Sequence, residues 1–369
     1  MATDSQVSRR DFLAAAVGTT LGTNVVATAA ATAGSAAPSP ESSERAPQKS
    51  GTVQTVLGPI STDKLGFHQS HEHVCCTSDG FWLYWPELMG GREAFIQTAV
   101  EKLKTAKAEG LDSFADLTTI DLGRDIRLLE EVSRKSGVHI VAATGHWVEP
   151  ARCMDVRSIE ELTDYFVREI QVGMEGTSIK AGVIKAANDS GPITPFGEKL
   201  LHAAGRACKA TGTPISTHSF ALERNGEKQA AIFEQEQVNP SKVCIGHSAD
   251  TTDMSYLLGL ARRGYYLGMD RLKGGADPPK PRASFREKLA SIKALVDNGF
   301  GDRIMVGTDY AIGSAQVPTP DLRVRDALNP DGIHFVCRQV IPGLRNIGVS
   351  EAAIKMITVE NPKRFFDGA

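Results

Sequence analysis

The feature that most constrains the fold is an alternation repeated eight times. From Thr52 onward, short apolar runs are each followed by an amphipathic stretch of helical period, the pattern of a parallel sheet covered by helices. The spacing predicts strands over 67–74, 111–116, 139–144, 181–186, 214–218, 243–247, 265–270 and 304–309. Helices are expected over 92–109, 124–136, 158–172, 197–210, 227–237, 254–263, 286–298 and 332–345. Gly110, Gly137, Gly212 and Gly264 stand just past four of these helices, where a C-terminal cap requires positive φ. No G-x-G-x-x-G opens a helix, which argues against an open dinucleotide-binding sheet. Eight units in one chain favour an α/β fold closed as a (β/α)8 TIM barrel.

The N-terminus does not fit this pattern. Ser8-Arg9-Arg10-Asp11-Phe12-Leu13, followed by an Ala-rich run to Ala37, resembles a twin-arginine export signal. The run is too interrupted and too weakly apolar to span a bilayer, so no stable membrane insertion is expected. Residues 1–37 are thus read as the signal, 38–51 as a Ser/Pro/Glu-rich linker and 52–369 as the barrel domain of a periplasmic or otherwise extracytoplasmic protein. With 369 residues, 41% of them hydrophobic, the chain has ample material for one barrel. A net charge of -3 offers phosphate backbones no long-range attraction, which removes nucleic acid as a partner. The six cysteines form no C-x-x-C pair and read as buried thiols rather than a zinc ribbon or disulfide framework.

In a barrel the loops that follow the strands build the active site, so polar residues at strand C-termini carry the chemistry. His71 and His73 lie two apart in the first strand and point to one face, supplying half of a metal site. Lys185, His218, His247 and Asp309 each end a different later strand. If each were an unrelated structural polar residue, they would scatter along the strands instead of clustering at one end. Glu72, between the two histidines, faces the other way and reads as a structural charge.

His71-Glu72-His73, Val183-Ile184-Lys185, Thr217-His218, Cys244-Ile245-Gly246-His247-Ser248 and Asp309 resemble the bacterial phosphotriesterase family of the amidohydrolase superfamily, which includes phosphotriesterase-like lactonases. The likeness extends through residues 126–134, 139–145 and 329–332. The resemblance implies a hydrolase of small-molecule esters, usually a homodimer, with two divalent metal ions and a bridging hydroxide. His71, His73 and Asp309 would hold one ion and His218 and His247 the other, with N6-carboxylated Lys185 between them. The carbamate explains the lysine, since an ammonium would repel two cations and a carboxylate on a long stem can span them. Zinc is the expected metal; cobalt, manganese or iron would suit the same ligands. Asp309 would take up the proton of the attacking water.

The sequence also departs from the family pattern. Asp250 matches the acid of the phosphotriesterase proton relay, but the relay histidine is replaced by Arg271, which cannot pass a proton and is the residue found in the lactonases. Trp147 matches an aromatic wall for an aryl leaving group, while Val148 and Ser314 are smaller than the family's aromatics and Cys76 replaces a glycine. Leu122 and Ala311 complete the expected substrate pocket with Arg271, and the Gly/Pro-rich loop 273–281 reads as an exposed lid. The expectation is a phosphotriesterase (aryldialkylphosphatase) with possible activity on lactones or esters, a lactonase being the alternative. A non-catalytic barrel would show lost ligands, and all six are present.

Overall fold

The computed structural model describes residues 51–273, 280–315, 327 and 329–368. The expected export signal, all of the linker but Gly51, and residues 274–279 of the expected lid lie outside the described residues. A short antiparallel hairpin, β1 (Thr52–Thr55) and β2 (Gly58–Ser61), precedes the barrel and had no counterpart in the predicted strands. Both ends of the hairpin are tied to Asp367 in the last helix, since Gly51 N and Thr62 Oγ1 both donate to its Oδ1, at 2.9 and 2.6 Å.

The barrel strands are β3 (His68–Cys76), β4 (Ser113–Asp116), β5 (His139–Gly145), β6 (Val183–Ala187), β7 (Ile215–His218), β8 (Val243–Ile245), β9 (Tyr266–Met269), β10 (Ile304–Val306) and β11 (Ala311–Ser314). They pair in parallel in the order β10-β9-β8-β7-β6-β5-β4-β3-β11. Helices Arg92–Ala108, Ile126–Ser136, Ile159–Gln171, Pro195–Thr211, Asn225–Gln235, Met254–Arg262 and Phe285–Asp297 follow successive strands. The architecture is the (β/α)8 barrel that the alternation predicts, with several end residues shifted.

The two-residue period of the strands divides their side chains into two layers. Phe114, Ile140, Ile184, Ile215, Val243, Ile245, Leu267, Met269, Ile304 and Val306 face the helices and join one apolar cluster. Ala115, Val141, Ala143, Val183, Cys244, Tyr266 and Met305 face inward and form a second cluster that fills the barrel. This parity points Lys185, His218 and Asp270 into the interior above that plug.

The eighth strand differs from the expected run over 304–309. It stops at Val306, turns through Asp309 at φ 52° and resumes as β11, so that β10 pairs with β9 while β11 pairs with β3 and closes the barrel. Asp309 N donates to His71 O and His73 N to Tyr310 O, both at 3.0 Å. Glu72 accounts for the break. Its carboxylate receives Thr308 N at 2.6 Å, Tyr310 N at 3.1 Å and the Thr308 hydroxyl, satisfying amides that the interrupted ladder leaves free.

Two further differences have local causes. The helix expected from Arg124 begins at Ile126, because Asp125 caps it by accepting Leu128 N at 2.9 Å. Arg124 is instead buried against Glu169, Glu175 and Ala143 O. The helix expected over 332–345 appears as a 3-10 turn Gly332–His334, a π turn Val336–Val340 and an α-helix Ile341–Asn346. Pro342 lacks the N–H that would continue a regular ladder, and the same pairing of a π turn with a following proline recurs at Met356–Glu360 and Pro362.

Candidate metal centre

All six candidate ligands meet above the inner plug. His71 and His73 project from β3 on one side, with ring centroids 5.4 Å apart, and the His71 ring stacks on His247 at 4.9 Å. Asp309 Oδ1 lies 3.4 Å from His71 Nε2 and 3.3 Å from His73 Nε2. Lys185 Nζ is 3.1 Å from His71 Nε2. His247 Nε2 and His218 Nδ1 face each other at 2.8 Å, so two imidazole nitrogens converge on one point. Of the six, Asp309 is the most open to solvent, at 19%.

His247 reaches this point only by breaking strand parity. With Val243 and Ile245 turned outward, strict alternation would send residue 247 outward too; a left-handed φ of 58° brings its ring into the pocket. Arg271 and Asp309 are also left-handed, at 53° and 52°. Non-glycine residues seldom adopt this conformation, and three of them around one pocket mark backbone held in place for function.

The ring nitrogens that face away from the centre are anchored. Asp270 Oδ2 accepts His71 Nδ1 at 3.0 Å and Asp270 Oδ1 accepts His247 Nδ1 at 2.6 Å, while both oxygens lie 3.1 Å from His247 N. His73 Nδ1 meets Thr118 Oγ1 at 2.9 Å. Holding Nδ1 as the proton-bearing nitrogen leaves the Nε2 lone pairs of His71 and His247 turned toward the centre, the form a metal requires. Gly246 makes room for this clamp: a Cβ there would lie 1.9 Å from Thr217 O.

Burial sets the electrostatics. It lowers His71 to about 4, with Lys185 adding to the effect, depresses His247 well below its ordinary value, and lowers the Lys185 amine to about 8. Burial alone would raise Asp270 and Asp309. His247 and His71 beside the first, and His71 and His73 beside the second, hold both carboxyls well below the usual range. His73 runs the other way: burial alone would lower it, but Cys76 and Asp309 beside it raise it well above its ordinary value, so a cation bound there displaces its proton. Neutral imidazoles and ionised carboxylates are the states that bind divalent cations.

The expected pocket residues take varied places. Arg271 Nε donates to Asp309 Oδ2 at 3.1 Å and its Nη1 to Asp250 Oδ2 at 2.7 Å, so it links the two acids. Trp147 Nε1 is 3.4 Å from His218 Nδ1, with its ring edge-to-face to the histidine. Cys76 and Ser314 are paired in register and buried, Leu122 O accepts Thr77 N at 2.8 Å, and Ala311 stands opposite His73.

Sequence reasoning passed over Asp270, although the outward parity of Leu267 and Met269 would have turned it inward. Thr118 carried no signal, since it reaches His73 from a different element.

A model of the Phosphotriesterase family matches residues 51–366. The chain is 35% identical over 326 residues to a "Phosphotriesterase homology protein" of Mycobacterium tuberculosis, covering 85% of this chain and 97% of that protein. It is 36% identical over 311 residues to an "Aryldialkylphosphatase" of Saccharolobus solfataricus, covering 83% and 96%. An "N-acetyltaurine hydrolase" of Bos taurus is 29% identical over 359 residues, covering 86% and 98%. With barrel, centre and alignment all spanning the same residues, the chain belongs to the phosphotriesterase family.

Proposed function

We propose that this protein hydrolyses phosphotriesters using two divalent cations, with lactones or other esters as a second activity. The observation that supports this best is the convergence of four imidazoles, one carboxylate and one buried amine from five barrel strands and the turns that follow them. The family is binuclear and metal-dependent, and the donors fit: His71, His73 and Asp309 offer ligand atoms within 4.8 Å of one another. His218 and His247 would hold the second ion, with Lys185, carboxylated on Nζ, between the two. Two cations there, zinc in the first instance, would supply Lewis acidity and lower the pKa of a bound water toward neutrality.

The chain's own residues do the rest. Asp309 turns Oδ1 to the histidines and Oδ2 to Arg271, and accepts the proton released as water attacks. Trp147 offers its ring to an aryl group leaving as a phenolate, which needs little protonation. Cys76, Leu122, Ala311 and Ser314 limit the space on the β3 side. Residues 1–37 direct export by the twin-arginine route, and the working form is a homodimer.

A second reading, a lactonase, is favoured by Arg271. Because it spans Asp309 and Asp250 and cannot deprotonate, a proton on Asp309 returns to the leaving group rather than passing to Asp250. An alkoxide leaving group needs that return. The deciding assay measures metal content, then sets metal-saturated protein against an aryl dialkyl phosphate, an aliphatic lactone and an N-acyl homoserine lactone. About two ions per chain with phosphotriester turnover are expected. Turnover of lactones alone would transfer the assignment to the second reading, and failure to bind metal would end both. Arg271→His is expected to raise the triesterase-to-lactonase ratio of kcat/KM by roughly one to two powers of ten, the effect of exchanging one pocket contact.

A further inference from the structure

One charge imbalance beside this centre is left over. Asp250, in the turn Ser248–Asp250 after β8, faces three cations: Arg271 Nη1 at 2.7 Å, Lys288 Nζ at 3.5 Å and Arg282 Nε at 3.9 Å. Lys273 adds positive charge that acts on both Asp309 and Lys288. Asp309, the other carboxylate touching Arg271, is shared with His71 and His73. Asp189 acts on Arg271 only from a distance, being placed beside His218. Asp270 also acts on Arg271 and Lys288 but is held by His71 and His247, so Asp250 is the one described carboxylate in contact with all three cations, and any divalent metal at the centre would add positive charge beside it.

The donors also have capacity to spare. Arg271 uses Nε and Nη1, and its Nη2 enters no hydrogen bond among the described residues. Arg282, 44% exposed, has its two terminal nitrogens likewise uncommitted among the described residues. Lys288 is buried and spent on Asp250 and on Arg271 O at 3.1 Å, so it holds the first guanidinium in place rather than meeting solvent.

We propose that Arg271 and Arg282 form a subsite for a singly charged oxyanion, a carboxylate or sulfonate, carried by the substrate away from the bond that is cleaved. The location of that bond rests on the hydrolase reading above. Guanidinium groups match the spaced oxygens of such anions, and the partial burial of Arg271, 15% exposed, limits screening by salt. A neutral phosphotriester leaves this positive charge unanswered. A phosphotriester or other ester that also bears a terminal anion offsets it, and the natural substrate belongs to that class.

The test uses metal-saturated full-length protein and ester pairs differing only in a terminal group, carboxylate against carboxamide and sulfonate against sulfonamide. The parent is expected to favour the anionic member by roughly tenfold in kcat/KM, the size of one charge-assisted contact. That preference should fall toward one in Arg282→Gln and in about 0.5 M salt, and persist in Arg286→Gln, which removes an exposed charge from the adjoining helix. Whichever pair shows the larger preference names the oxyanion. No preference in the parent, or one unchanged in Arg282→Gln, overturns the proposal. Calorimetric titration with propane-1-sulfonate, a weak ligand for metals, separates this from failure of the hydrolase reading. If no ester is turned over, saturable sulfonate binding that is lost in Arg282→Gln sustains the subsite, and absence of binding to the parent refutes it.

Discussion

Asp270→Asn tests the clamp that orders the centre. Asparagine keeps the shape of the carboxylate but has one acceptor oxygen and one donor nitrogen. Placed at Oδ1, the new NH2 would oppose both His247 Nδ1, now at 2.6 Å, and His247 N at 3.1 Å. Placed at Oδ2, it would oppose the same His247 N at 3.1 Å but His71 Nδ1 at 3.0 Å in place of the 2.6 Å contact, so the amide should settle there. His71 then either keeps a buried donor unpaired, costing about 1–3 kcal/mol, or shifts its proton to Nε2, where it blocks ligation. Loss of such an orienting partner typically weakens metal binding about 10- to 100-fold, or about 1.4–2.7 kcal/mol, the same size as the hydrogen-bond estimate. Removing the negative charge weakens both ions together, so the diagnostic is the difference between them. Competition with chelators of graded affinity, followed by metal analysis, should find both ions weakened, the one at His71, His73 and Asp309 by that factor more than the other. Equal weakening of both ions, or none, would refute the asymmetric clamp.

Lys185→Ala should lose metal and nearly all turnover, with partial recovery when a short carboxylic acid replaces the carbamate; full metal content in the variant would remove the bridging role. Arg9→Lys combined with Arg10→Lys should retain folded, active protein in the cytoplasm, and normal export on fractionation would count against the signal. His68 lies 1% exposed with its Nδ1 2.8 Å from Ser113 Oγ, and burial lowers its pKa from 6.5 to about 3. Because the unfolded chain takes up this proton first, the neutral ring's contribution is complete above about pH 6.5 and is lost as pH falls toward 3. Between pH 6.5 and 5 the loss is about 2 kcal/mol. Urea unfolding at pH 7 and pH 5 should show a steeper acid loss in the parent than in His68→Asn, and equal losses would exclude His68 as the source.

What the sequence determined alone is whatever depends on local periodicity. Eight apolar runs alternating with amphipathic stretches specified the barrel, because a strand buried on both faces and a helix buried on one leave different repeats in the chain. The period of two placed His71 and His73 together, and the end of each run placed Lys185 and His218 at the pocket. Tertiary structure decided which polar groups meet. Asp270 unites histidines from two strands, lying 199 residues from His71 and 23 from His247, and no local pattern encodes that pairing. Glu72, legible only as a charge, takes up amides 236 and 238 residues away and thereby breaks the eighth strand at Asp309. His247 reaches the centre against its strand parity, and Arg271 donates to both Asp309 and Asp250. Periodicity reports which face of an element is buried; the partner of a buried polar group is chosen by distance and by the cost of leaving it unpaired, and both exist only once the strands are closed into a barrel.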